Sequence, residues 1–115
     1  MKQLILLGGP MGVGKSAVSE ALLQRLTPGV YLDGDWCWHM QPFVVNDENK
    51  RMVLENITHV LRGFLRNTGI DYVIFCWVMH QEAILHQILR GLQGEAFEAQ
   101  AYSLLCDVPT LTARI

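Results

Sequence analysis

Gly9-Pro10-Met11-Gly12-Val13-Gly14-Lys15-Ser16 constrains the fold of this chain more than any other stretch. It fits G-x-x-x-x-G-K-[ST] at every fixed position. Before it stands Leu4-Ile5-Leu6-Leu7, a short apolar run that reads as a buried strand. After it, from Ser16 to Leu26, Val18, Ala21, Leu22, Leu23 and Leu26 keep helical spacing. Strand, glycine loop and helix together make such a pattern a phosphate cradle. Gly9, Gly12 and Gly14 can adopt positive φ and carry no side chain to hold a phosphate away. Successive backbone N–H groups then form an anion nest, to which the helix start adds its unpaired donors and dipole. Lys15 is placed to reach the β- and γ-phosphates of a nucleotide, and the Ser16 hydroxyl to bind Mg²⁺. Pro10, Met11, Val13 and Ala17 complete the nucleotide-binding stretch. The pattern thus calls for ATP and Mg²⁺.

Composition narrows the partners. The chain has 115 residues, which predicts one domain spanning 1–115. Half of them are apolar, enough for a packed core, and only 17% are charged, against roughly a quarter in ordinary domains. Net charge is −2 and no basic block occurs, which argues against a nucleic-acid partner. Phosphate affinity must therefore arise at one local site. Cys37, Cys76 and Cys106 are odd in number and widely spaced, so neither a zinc site nor a redox dithiol is indicated. Their use suits a reducing compartment, and the expected location is cytoplasmic. The apolar run after Lys2 is too short for a signal peptide, and no segment is long enough to span a membrane.

Along the chain, Thr27-Pro28-Gly29 ends the first helix and Val30-Tyr31-Leu32 reads as a second strand leading into Asp33-Gly34-Asp35. Trp36 to Val45 reads as a short helical turn and a loop. Asn46-Asp47-Glu48 supplies a capping residue and two acids for a helix that keeps its spacing through Val53, Ile57, Val60, Leu61 and Phe64 to about Arg66. Tyr72 to Val78 is an unbroken apolar run, which predicts a central strand buried on both faces. Gln81 to Leu92 is helical, Ala101 to Cys106 is a fourth strand, and Pro109 stands in the first turn of a last helix. Four strands alternating with four helices predict an α/β fold, an open parallel sheet with helices on both faces.

In open parallel sheets ligands gather at the carboxyl ends of the strands. That rule brings Asp33-Gly34-Asp35, Met79-His80 and Asp107 beside the glycine loop. Of Asp33 and Asp35, one can hold Mg²⁺ through water and the other can accept a proton from an attacking hydroxyl. Asp-Gly is also ordinary turn chemistry. Trp36, Trp38, His39, Phe43 and His80 are candidates for an acceptor pocket. The aromatics fit a core equally well, and His80 fits helix entry. Asp107 reads as a helix-entry residue.

The glycine loop, the Asp-Gly-Asp after the second strand and the Val108-Pro109 entry to the last helix resemble the small P-loop kinases. Leu32-Asp33-Gly34-Asp35 is similar to the corresponding loop of adenylylsulfate kinases. The overall plan resembles shikimate and gluconate kinases and chloramphenicol phosphotransferase. Asp33 to Trp38 and Phe75 to His80 resemble a group of small bacterial nucleotide-kinase-like proteins. The resemblance implies that Lys15 and Ser16 serve nucleotide and metal, that Asp35 meets the acceptor hydroxyl as base, and that Asp33 lies nearer the metal.

Two departures stand out. Such kinases often carry an acid at the end of the third strand, where this chain has Cys76-Trp77-Val78-Met79. They also continue into an arginine-bearing lid and a fifth strand, which the sequence lacks after Leu111-Thr112-Ala113-Arg114-Ile115. The expected activity is ATP-dependent phosphorylation of a small-molecule hydroxyl. Its rival is nucleotide binding without transfer, in a chain shortened before the lid, and a nucleotide-hydrolysing switch ranks third. An absent fifth strand predicts an unpaired edge, on the strand at 99–106 or on the first strand, open to association between copies.

Overall fold

The computed structural model describes residues 1–9, 14–78 and 82–103. Its elements are β1 (Lys2–Gly8), α1 (Lys15–Arg25), β2 (Gly29–Asp33), a 3₁₀ turn (Gly34–Trp38), α2 (Asp47–Arg66), β3 (Tyr72–Trp77), α3 (Glu82–Gly91) and β4 (Phe97–Ser103). The strands form one sheet in the order β2-β3-β1-β4, and every pairing is parallel. The predicted α/β plan holds.

The apolar runs of β1 and β3 have no alternation because both of their faces are covered. Ile5, Leu7, Ile74 and Cys76 point to one side, where Val18, Leu22, Leu23 and Leu26 of the α1 region pack on them. Leu4, Leu6, Val73 and Phe75 point to the other side, beneath α2 and α3. Val53, Ile57, Leu61 and Leu65 recur every fourth residue and form the buried stripe of α2. Each such side chain, fully buried, stabilises the fold by about 1.5–3 kcal/mol. The start of α2 follows from its cap, since Asn46 Oδ1 accepts the Asn49 N–H at 2.7 Å. Gly91 lets α3 approach α2 closely: a Cβ there would lie 2.7 Å from Thr58 Cγ2. Arg62 donates to the Gly91 carbonyl. Arg66 binds Glu95 through Nε at 3.0 Å and through a terminal nitrogen at 2.9 Å. These hydrogen bonds hold the Glu95 carboxyl below the usual carboxylate range.

The fourth strand lies earlier than the sequence predicts. It runs from Phe97 to Ser103, paired with β1 from Lys2↔Phe97 to Gly8↔Ser103. The apolar cluster that suggested 101–106 is not what defines it. As an edge strand exposed along nearly its whole length, it can carry Glu98 and Gln100 without cost. Residues 104–106 and the helix expected from Pro109 lie outside the described residues. The expected open edge falls on β4, whose outer side has no partner strand among the described residues. The first strand, the other candidate edge, is interior, between β3 and β4. No helix among the described residues is long and apolar enough to cross a membrane.

Candidate functional site

Parallel pairing sets the carboxyl ends of β1, β2 and β3 side by side. Leu7 and Asp33 are both in register with Cys76, and Gly8 is in register with Trp77. The glycine loop leaves β1 at Gly8 and returns at Gly14. Pro10, Met11, Gly12 and Val13 lie outside the described residues, as does His80. Gly14 caps α1 in the left-handed conformation, with φ 91° and ψ 26°, which a side chain would strain. Gly14 has no side chain to cap α1, so the N-cap residue does not compete with an anion for the backbone N–H groups of the first turn. Lys15, Ser16 and Ala17 form this first turn.

Ser16 and Asp33 meet here. Ser16 Oγ lies 3.5 Å from Asp33 Oδ2, which also accepts the Tyr31 hydroxyl at 3.3 Å. Asp33 Oδ1 accepts the Asp35 N–H at 2.9 Å, so the same carboxylate caps the 3₁₀ turn. Burial, and then the neighbouring Cys76 thiol, raise the Tyr31 pKa well above the ordinary phenol range. Tyr31 is therefore neutral and has one proton to give, which goes to Asp33. The Cys76 thiol, also raised by burial, lies 3.1 Å from the phenol oxygen in a contact where either atom can donate. The line Cys76, Tyr31, Asp33 fixes the carboxylate from behind.

Asp35 is fixed from the other side. The indole N–H of Trp77 donates to Asp35 Oδ1 at 3.2 Å. The same indole lies on Gly34, where a Cβ would stand 2.3 Å from Trp77 Cγ. The third strand thus ends in an indole that meets one of the two aspartates. Beyond Asp35 opens a cavity of about 810 Å³ between the 3₁₀ turn, α2 and α3. Trp38, Phe43, Leu54, Trp77 and Ile84 are among the side chains that line it.

The expected pocket residues divide. Trp38 and Phe43 line the cavity and pack together, with ring centroids 5.5 Å apart. Trp36 is exposed and leans on Tyr31 at 5.1 Å, outside the lining. His39 is exposed at the end of the 3₁₀ turn, also outside it. Three contributors escaped the sequence reading: Tyr31, Trp77, and the α2 face carrying Leu54 and Thr58. A tryptophan and a tyrosine in the carboxyl halves of apolar strands were the available signal, since each has a polar tip that needs a partner.

The donor set suits magnesium. Among the described residues, no group of three or more His, Cys, Asp or Glu side chains could hold a metal alone. Ser16 and Asp33 instead offer one hydroxyl and one carboxylate, hard oxygens of the kind that share Mg²⁺ with water and substrate phosphates.

Comparison with known proteins agrees with this geometry. No curated protein matches the sequence. Among solved structures, the protein APE1195 superposes with a TM-score of 0.72 at 20% identity, over 98% of this chain and 68% of that one. A gluconokinase from Sinorhizobium meliloti 1021 gives 0.66 at 17% identity, over 97% of this chain and 62% of its own. The APS kinase CysC of Mycobacterium tuberculosis, as a Cys556Ala mutant, gives 0.59 at 19% identity, over 94% and 77%. The chain thus spans roughly two-thirds to three-quarters of these proteins, and at such identities the likeness is one of fold, that of the small P-loop kinases. The family model described as an AAA domain matches residues 5–115. With nearly its whole length matched, and with strand, glycine loop and helix in the order that the motif requires, this chain belongs to the AAA domain family of P-loop proteins.

Proposed function

We propose that this chain is an ATP-dependent phosphotransferase acting on a hydroxyl of a small molecule. The observation that carries the reading is the placement of Asp35. Its carboxylate is held by Trp77 at the wall of a cavity large enough for a small substrate, two residues from the aspartate that meets Ser16. Phosphoryl transfer asks the protein mainly for positioning and charge stabilisation. MgATP would supply the phosphoryl group, with Ser16 and Asp33 holding the metal and Lys15 and the loop amides holding the phosphates. Asp35 takes the acceptor's proton as the hydroxyl oxygen bonds to the γ-phosphorus and the bond from that phosphorus to the oxygen of departing ADP breaks. We place the protein in the cytoplasm, where Cys37 and Cys76, both unpaired, stay reduced.

The test is ATP titration of the wild-type chain and of Lys15→Ala, followed by a search for phosphorylated product across candidate alcohols. Loss of most ATP affinity in the variant, with the fold intact by circular dichroism, supports the assignment of the loop. Equal affinity in both forms overturns it. ATP binding without any phosphorylated product would leave a nucleotide-binding protein that does not transfer.

A further inference from the structure

We propose that the acceptor of this cavity is an alcohol carried on an aromatic ring, an inference that rests on the phosphotransferase reading above. The lining is sorted by depth. Asp35, Asp47, Lys50, Arg51, Glu55 and Gln87 are exposed, so the charged and amide groups sit at the rim. The half-buried wall is made of Trp38, Leu54, Trp77, Val78 and Ile84. Of the polar side chains within that wall, two are engaged, and the Trp38 N–H has no partner among the described residues. The Trp77 N–H is taken by Asp35, and the Thr58 hydroxyl by the Leu54 and Glu55 carbonyls, both at 3.0 Å.

That distribution discriminates between alcohols. A sugar lodged here would press several hydroxyls against a wall whose one unengaged side-chain donor is the Trp38 N–H. Each hydroxyl left without a partner there carries the full cost of losing its water. An aromatic alcohol brings one hydroxyl, for Asp35, and a flat apolar body for the wall. The tilted Trp38–Phe43 pair offers that body faces and edges for offset contact. The volume, about 810 Å³, is that of a pocket for a small molecule.

The experiment follows tryptophan fluorescence, which Trp38 and Trp77 bring to the cavity wall, while 2-phenylethanol, D-glucose and D-gluconate are titrated in turn without nucleotide. Saturable binding of 2-phenylethanol, none of the sugars, and a threefold or greater loss of affinity in Phe43→Ala are expected. Phe43 is 62% exposed, so its truncation leaves the fold standing. Saturable binding of a sugar with none of 2-phenylethanol, binding of none of the three, or unchanged affinity in Phe43→Ala would overturn the inference. The two readings fail separately. Ring-selective binding with no transfer from ATP sinks the phosphotransferase and leaves the ring specificity. Phosphorylation of a sugar but not of 2-phenylethanol does the reverse.

Discussion

Trp77 and Asp35 stand 42 residues apart in the chain, yet the indole N–H of one meets the carboxylate of the other at 3.2 Å. One oxygen of Asp35 is committed to that bond, which leaves the other for an acceptor hydroxyl. Trp77 thereby becomes a positioning residue for the proposed base.

Trp77→Phe keeps a ring against Gly34 and removes only the donor. Hydrogen bonds to charged groups contribute about 1.5–3 kcal/mol, so kcat should fall about 10- to 100-fold if the whole bond serves to hold Asp35. KM for ATP should stay unchanged, because the bond removed goes to Asp35 and not to Lys15 or Ser16. Steady-state kinetics with the best acceptor separates the two constants. A rise in KM for ATP with kcat preserved would remove Trp77 from this role.

Asp35→Asn preserves shape and the Trp77 contact while removing the base. Turnover should fall by about 10²–10⁴-fold with ATP affinity nearly unchanged. Asp33→Asn should instead change the Mg²⁺ concentration needed for half-maximal activity. Magnesium titrations of both variants distinguish the roles, and the opposite pattern would exchange the two assignments.

Gly34→Ala should destabilise the protein, because its Cβ would enter the indole of Trp77 at 2.3 Å. Overpacking of this kind costs about 1–3 kcal/mol. Urea unfolding would show a lower midpoint with the same slope. Trp77→Ala in the same chain should relieve part of that loss, and strict additivity of the two changes would refute the contact as its cause.

The Trp38 Nε1 atom is buried with no hydrogen-bond partner among the described residues. Such a group carries a desolvation cost of about 1–3 kcal/mol. Trp38→Phe gives up some apolar contact but sheds that cost, so thermal unfolding should occur no lower than in the wild type. A clear drop in midpoint would mean that the indole nitrogen has a partner in solution.

We propose that the outer edge of β4 pairs with a second copy of the chain. Sedimentation velocity over a range of concentrations should then show reversible association, and Ala99→Lys with Ala101→Lys should suppress it, as edge lysines do. A monomer at all concentrations counts against the pairing.

Much of this architecture was legible because local chemistry decides it. Asn46 followed by two acids marks the start of α2, and the unbroken run from Tyr72 marks a strand covered on both faces. The edge strand was placed late because β4 is exposed and has no apolar signature to align it; its register comes from pairing with β1. At the site, Lys15 and Ser16 could be named from the motif, and Asp33 and Asp35 from their place after the second strand. Tyr31 and Trp77 could not be assigned roles, since each acts through a contact that exists only once β2 and β3 lie side by side.

The seating of the Trp77 indole on Gly34 has a meaning beyond this one molecule. Two positions that cannot vary independently form a joint character, inherited together or lost together. A homologue with a side chain at the position of Gly34 must shift or surrender the large ring at the position of Trp77, and with it the donor that steadies the second aspartate. Such a lineage would need another way to aim that carboxylate, or another reaction. Two letters, far apart in the text of a genome, would therefore sort this chain's kin from proteins that share only its loop.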